Sequence, residues 1–198
     1  MEERNNLFPV FLKLEELETL IVGGGNVATE KISALLKSSP NAGVTIVAEI
    51  INEEIRTLAA HNRKVKLVER NFRIRDLQYK DLVILATDDR ALHERIRILA
   101  RKKRVLINVA DTPALCDFYL GSVVTKGNIK IGISTNGKSP TIAKRIREFF
   151  EDVLPEDTET LLANMQKIRE KIKGDFSQKI KVLNDITKSW LSNQPPLK

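Results

Sequence analysis

Three groups of residues have types and spacings suited to chemistry: glycines that a phosphate can approach, carboxylates beside apolar runs, and a set of cations near the middle of the chain. Leu20-Ile21-Val22-Gly23-Gly24-Gly25-Asn26-Val27-Ala28 fits the pattern G-x-G-x-x-A. In that pattern Gly23 permits a tight turn off a strand. Gly25 lets backbone N–H groups approach a pyrophosphate with no Cβ in the way, and Ala28 lets a helix pack closely on the strand. The helix N-terminus adds unpaired N–H groups and the positive end of its dipole. Glu49 stands near the end of the next apolar run, at the roughly 20-residue offset where a carboxylate binds ribose hydroxyls and repels a 2′-phosphate. Together these predict NAD in preference to NADP. The structural alternative is a tight strand-to-helix turn with no ligand.

Asp111 closes a later apolar run, Val105 to Val109. A carboxylate at the carboxyl edge of a parallel sheet lies where ligands bind. Loss of hydride from a carbon must be matched by loss of a proton, and a carboxylate can take it. With Thr112-Pro113 following, the competing role is to shape a turn. Ala86-Thr87-Asp88-Asp89 follows another apolar run and is expected to line the same crevice through Thr87 and Asp88, with helix capping as the alternative for the two aspartates.

These residues need elements to hold them. Thr19 to Val22, Val44 to Ala48, Val65 to Val68, Leu82 to Ala86 and Val105 to Val109 read as strands. Between them, apolar residues recur at helical spacing, as at Ala28, Ile32, Leu35 and Leu36, over Ile51 to Ala60, and at Leu92, Ile96 and Leu99. Strands alternating with helices predict an α/β fold, a Rossmann-type doubly wound parallel sheet. Asn6 to Leu14 reads as an extended lead-in segment. After about Asp111 the pattern changes. Val123-Val124, a Lys126-Gly127-Asn128 turn and alternating Ile129, Ile131 and Ile133 predict a hairpin. Ser139-Pro140 predicts a helix start, with Ile142, Ile146, Phe149 and Phe150 on one face and Pro155 as its stop. From about 156 to 191 the chain is charged and helical in pattern, broken at Gly174 and followed by a Pro195-Pro196 tail.

Composition narrows the classes of partner. Hydrophobic residues are 42% of the 198 and charged residues 30%, the balance of a soluble globular chain. No apolar run reaches the ~18 residues of a membrane span, and Met1-Glu2-Glu3-Arg4 starts no signal segment. The lone Cys116 excludes an internal disulfide framework and points to a reducing compartment, the cytoplasm. With only His61 and His93 beside it, no resident metal site is expected. His93 reads as a surface or packing histidine rather than an iron ligand. The net charge of +7 fits either a solvated surface or a polyanionic partner. Aromatics at 5% and the lack of any helix-turn-helix, RNA-recognition or zinc-finger pattern argue against nucleic acid.

Five segments occur together in order: Pro9-Val10-Phe11-Leu12, the glycine turn followed by Lys31, Ala86-Thr87-Asp88-Asp89, Asn108-Val109-Ala110-Asp111, and Ser134-Thr135-Asn136-Gly137-Lys138-Ser139-Pro140. This set resembles the precorrin-2 dehydrogenase/sirohydrochlorin ferrochelatase family, the siroheme synthases, over about Leu7 to Pro155. The resemblance implies NAD-dependent oxidation of precorrin-2 to sirohydrochlorin, then insertion of ferrous iron, a substrate of that step, to give siroheme. It implies Asp111 as the catalytic aspartate and Asn26, Val27, Glu49 and Ile50 as cofactor contacts. It implies a homodimer and three regions: an NAD-binding domain over 1–112, a small α+β dimerisation segment over 113–150 and a helical C-terminal region over 151–198. The end of the chain near residue 198 is expected of a stand-alone form lacking the methyltransferase half. Tetrapyrroles of this pathway carry many carboxylates, which Lys138, Lys144 and Arg145 could pair with; a solvated helix face is the alternative. A reading from a different class is an NAD-sensing regulatory module, which would keep the glycine turn and need no Asp111.

Overall fold

Short apolar runs with no polar alternation bury both faces, which requires helices above and below one sheet. A computed structural model describes residues 4–154 together with residues 166, 167, 170 and 184. Its first part runs β1 (Glu18–Val22), α1 (Asn26–Ser38), β2 (Gly43–Ala48), α2 (Glu53–Ala60), β3 (Val65–Glu69), β4 (Leu82–Leu85), α3 (Arg90–Lys103) and β5 (Leu106–Val109). The five strands pair in the order β3-β2-β1-β4-β5, and every pair is parallel. This is the doubly wound α/β sheet that the alternating pattern predicts. Residues 4–13 ahead of it take no regular secondary structure.

The register sorts the core into two layers. Ile21 pairs with Ile46 on one side and Ile84 on the other. These three meet Ala28 and Ile32 of α1 and Ile55 of α2 on one face of the sheet. Leu20, Val22, Val47, Val83 and Leu85 point the other way and meet Ile96 and Ala100 of α3. Full burial of each such side chain stabilises the fold by about 1.5–3 kcal/mol. A 3-10 turn at Ile74–Leu77 delivers buried Leu77 to that second layer. Nothing in the periodicity of the sequence marks this turn. At the far end of α3, Arg101, Lys102 and Lys103 occupy the last turn, where cations complement the helix dipole. Part of the basic charge therefore has a structural place.

Beyond β5, β6 (Ser122–Lys126) and β7 (Ile129–Ile133) form a two-stranded sheet around Gly127-Asn128. So short a connection permits only an antiparallel pair. Helix α4 spans Pro140–Val153, and Ser139 Oγ accepts the Ile142 N–H at 3.2 Å, the expected cap. Residues up to Val123 and Gly132–Lys144 form one compact unit. A second unit takes Val124–Ile131 and the chain from Arg145. Along α4, Ile142, Ile146 and Phe149 are exposed at 55%, 37% and 47% and share one face by their spacing. Beyond residue 154, the helical region expected over 151–198, with its marks at Pro155, Gly174 and Pro195-Pro196, lies outside the described residues apart from the four isolated ones. No helix among the described residues is long and apolar enough to cross a membrane.

Candidate active site

All five parallel strands end at one edge of the sheet. The chain winds outward from β1 to β3, then crosses back to β4 on the other side of β1. Ligands of such sheets bind at this switch point, outside the strand ends. Gly23 follows β1 there. Its φ is 125°, and an added Cβ would lie 2.2 Å from the Ala86 carbonyl oxygen. A Cβ on Gly24 would lie 2.1 Å from the Ile50 oxygen. Gly23 N–H donates to Val47 O at 3.0 Å, and Gly24 O accepts the Asn52 N–H at 2.8 Å. These two glycines let the turn press against both neighbouring strand ends.

Gly25 differs. Its backbone is extended, and an added Cβ would meet nothing within 4 Å. It is the N-cap of α1, makes no side-chain cap and is followed by no acidic residue in the first turn. The first N–H groups of a helix have no partner within it. An uncapped, non-acidic helix start behind an open glycine fits a pyrophosphate, and a Cβ at Gly25 would fill that cradle. Asn26 and Val27 begin the helix beside it. Asn26 Oδ1 accepts from Asn52 Nδ2 at 3.0 Å. Asn52, the N-cap of α2, is a site residue the sequence reading missed. An asparagine just before Glu53-Glu54 was the available signal.

Glu49 lies one residue past β2, exposed, and its Oε1 accepts from Asn71 Nδ2 at 2.6 Å. Ile50 beside it is 82% exposed. On the other flank of the turn, Thr87 follows β4, and its methyl would meet a Cβ on Gly23 at 3.3 Å. Its hydroxyl lies 2.9 Å from Nε2 of His93, which is buried. Burial pushes the His93 imidazole below its ordinary value, against the weaker upward pull of Asp89, the Thr87 contact and Asp88. His93 is thus a packed, neutral side chain that sets the Thr87 rotamer. The two aspartates divide their roles. Asp89 accepts the Leu92 N–H at 2.9 Å and caps α3. Asp88 is exposed, and its carboxylate makes no hydrogen bond or ion pair among the described residues.

Asp111 stands two residues past β5 on the same edge, exposed, with φ 55°. Aspartate tolerates this left-handed region better than most residues. Its carboxylate also has no partner among the described residues. The loop that carries it folds back along the outer side of β5. Cys116 Sγ accepts the Val109 N–H at 3.2 Å and donates to Val109 O at 3.3 Å. Asp117 N–H donates to Ile107 O at 2.7 Å, and Asp117 Oδ2 accepts the Ile107 N–H at 3.2 Å. Buried Arg97 of α3 forms an ion pair with Asp117, and buried Asn108 donates to Phe118 O at 2.8 Å. Burial pushes the Cys116 thiol up, so it remains a neutral S–H and a structural strut rather than a nucleophile.

The cations divide as well. Thr135 Oγ1 accepts the Ser139 N–H at 3.2 Å, and it donates to Ser139 O at 3.1 Å, which closes a turn with Asn136 and Gly137 both at positive φ. A Cβ on Gly137 would come to 4.0 Å from the Pro113 ring, so this turn lies beside the Asp111 loop. Lys138 is exposed on the turn and Lys144 on α4. Arg145 belongs to the second unit, where it pairs with Glu148 at 2.8 Å.

Residues 10–122 match a family model described as putative NAD(P)-binding. The chain belongs to this NAD(P)-binding family. Residues 126–152 match a second model, described as sirohaem biosynthesis protein central. The siroheme synthase of Psychrobacter arcticus is 36% identical over 185 residues, which are 93% of this chain and 32% of that protein. The siroheme synthase of Mannheimia succiniciproducens is 33% identical over 187 residues, 94% of this chain and 38% of that protein. The chain therefore spans about one third of the length of these relatives. Among solved structures, SirC, precorrin-2 dehydrogenase, is similar with a TM-score of 0.72 and 24% identity, covering 91% of this chain and 89% of that one. That likeness shows the fold.

Proposed function

We propose that this protein oxidises precorrin-2 to sirohydrochlorin with NAD. The observation that carries the reading is the place of Asp111: an exposed carboxylate on the same sheet edge as the open Gly25 cradle. Kinship over most of the chain with siroheme synthases and the shared fold with SirC, precorrin-2 dehydrogenase, support the choice of substrate. Gly25 and the first turn of α1 would hold the pyrophosphate, and Glu49 the adenosine ribose. NAD, when bound, supplies a hydride acceptor. Asp111 takes the proton that leaves the neighbouring atom of the tetrapyrrole as its hydride departs, so the substrate loses two hydrogens and two electrons in total. Thr87, held by His93, orients groups at the mouth of the crevice. Lys138, on the turn beside the Asp111 loop, offers a cation to the substrate carboxylates, and Lys144 is a further candidate.

The same carboxylate could serve a second step. Insertion of ferrous iron into sirohydrochlorin releases two pyrrole protons, and Asp111 is the base placed to receive them. The exposed stripe of Ile142, Ile146 and Phe149 supports assembly as a homodimer. The deciding experiment is anaerobic incubation of the purified protein with precorrin-2 and NAD, with and without ferrous iron. NADH and sirohydrochlorin are expected without iron, and siroheme with it. If no NADH forms, the dehydrogenase reading fails. NAD binding without any turnover would favour a sensing module.

A further inference from the structure

We infer that Asn71, Arg70 and Asp76 set the dinucleotide preference of this site. The inference rests on the proposed NAD site and concerns which dinucleotide the ribose end accepts. In sheets of this topology a carboxylate past the second strand selects a ribose 2′-hydroxyl, and a nearby arginine accommodates a 2′-phosphate. Both groups are present here. Glu49 follows β2, and Arg70 follows β3, the strand paired with β2. One residue joins them. Asn71 Nδ2 donates to Glu49 Oε1 at 2.6 Å, and Asn71 O accepts from Arg70 at 2.9 Å.

Each of the two groups is controlled by a neighbour. Asn71 occupies one oxygen of Glu49, which fixes the carboxylate and leaves its second oxygen for a diol. Asp76 takes Arg70 through both carboxylate oxygens, at 2.8 and 2.6 Å. The Asp76 side chain is 8% exposed, and its Oδ2 also accepts the Arg73 N–H at 2.8 Å. A guanidinium engaged on both prongs has little left to offer a phosphate. Burial alone would raise the Asp76 carboxyl. The Arg70 guanidinium, the Arg73 N–H and the charges of Arg70 and Arg75 outweigh it and hold the group below its ordinary range. Arg70 is correspondingly raised, chiefly by its bond to Asp76, so the pair stays ionised through the neutral range. The cation suited to NADP is present but occupied, while the anion suited to NAD is held ready.

The test is calorimetric titration of the full chain with NAD and with NADP, comparing wild type, Asn71→Ala and Asp76→Asn. Wild type is expected to prefer NAD. Asn71→Ala is expected to weaken NAD about tenfold, the worth of one hydrogen bond to a charged group, with NADP unchanged or improved. Asp76→Asn keeps an oxygen for the Arg73 N–H, frees Arg70 and is expected to tighten NADP about tenfold. Asn71 is exposed, so its variant reports even if Asp76→Asn fails to fold. A wild type that binds NAD, with the NAD to NADP ratio unchanged in the variants, overturns this inference alone. A wild type that binds neither dinucleotide overturns it together with the proposed function.

Discussion

Replacing Gly25 with alanine separates the folding role of the glycine turn from its binding role. The residue is extended and faces open space, so the new methyl meets no protein atom within 4 Å. Alanine is a poorer N-cap than glycine by about 0.5–1 kcal/mol. Against this, the unfolded chain loses entropy worth about 0.4–1 kcal/mol. The two nearly cancel, so the melting temperature should move by no more than about 2 °C. Binding is another matter. The methyl occupies the path of the pyrophosphate and costs at least two N–H to phosphate bonds at about 1.5 kcal/mol each, or roughly a hundredfold in affinity. Gly23→Ala is the contrast. There the methyl would lie 2.2 Å from the Ala86 oxygen, at φ 125°. Backbone strain and overpacking together cost about 3–5 kcal/mol, a fall in melting temperature near 10 °C. Thermal unfolding by circular dichroism and calorimetric titration with NAD measure both quantities. If Gly25→Ala unfolds like Gly23→Ala, or binds NAD as wild type does, the two glycines do not divide the work in this way.

Asp111→Asn should keep the left-handed backbone and NAD affinity yet slow NADH formation by about 10²–10⁴, whereas Asp111→Ala should lose a further ~1 kcal/mol of stability; wild-type turnover in Asp111→Asn would remove the proton-acceptor role. His93 titrates lower in the folded chain than in the unfolded one, so the unfolded state binds more protons as pH drops below about 6.5. Its contribution is therefore intact above that pH and is lost as pH falls through the lower folded value. His93→Asn should flatten this acid limb in denaturant midpoints measured against pH, and an unchanged limb would mean that other groups cause it. Arg97→Met strands Asp117 and should cost about 3 kcal/mol in urea unfolding, with partial recovery in the double variant Arg97→Met/Asp117→Leu. A loss under about 0.5 kcal/mol would show that the ion pair does not brace the loop.

The sheet was legible because its signal is local. Apolar runs such as Leu82–Leu85 declare a doubly covered strand, and the glycines with Ala28 declare the turn and the helix after β1. Positions near the strand ends were legible for the same reason: once β2 and β5 are located, Glu49 and Asp111 lie at the carboxyl edge of the sheet. The contacts that hold those groups were not legible. Asn71 reaches Glu49 across 22 residues of sequence, and Asn52 reaches Asn26 across 26. No periodicity reports a polar contact between two loops. The same limit hid the Thr87–His93 contact; the sequence left His93 as either a surface or a packing residue. Cys116 was informative in the sequence only about compartment. Its service to β5 depends on how the following loop turns back.

That return of the loop along β5 carries a consequence for solubility. β5 is the last strand of its sheet, and an open last strand offers its N–H and C=O groups to any passing chain as a template for sheet growth. Here Cys116 and Asp117 occupy those groups at Val109 and Ile107. The segment that carries Asp111 is thus also the guard against self-association. Changes that loosen it to reshape the active site would expose a sticky margin, so variants selected for activity in this loop carry a built-in tendency to precipitate.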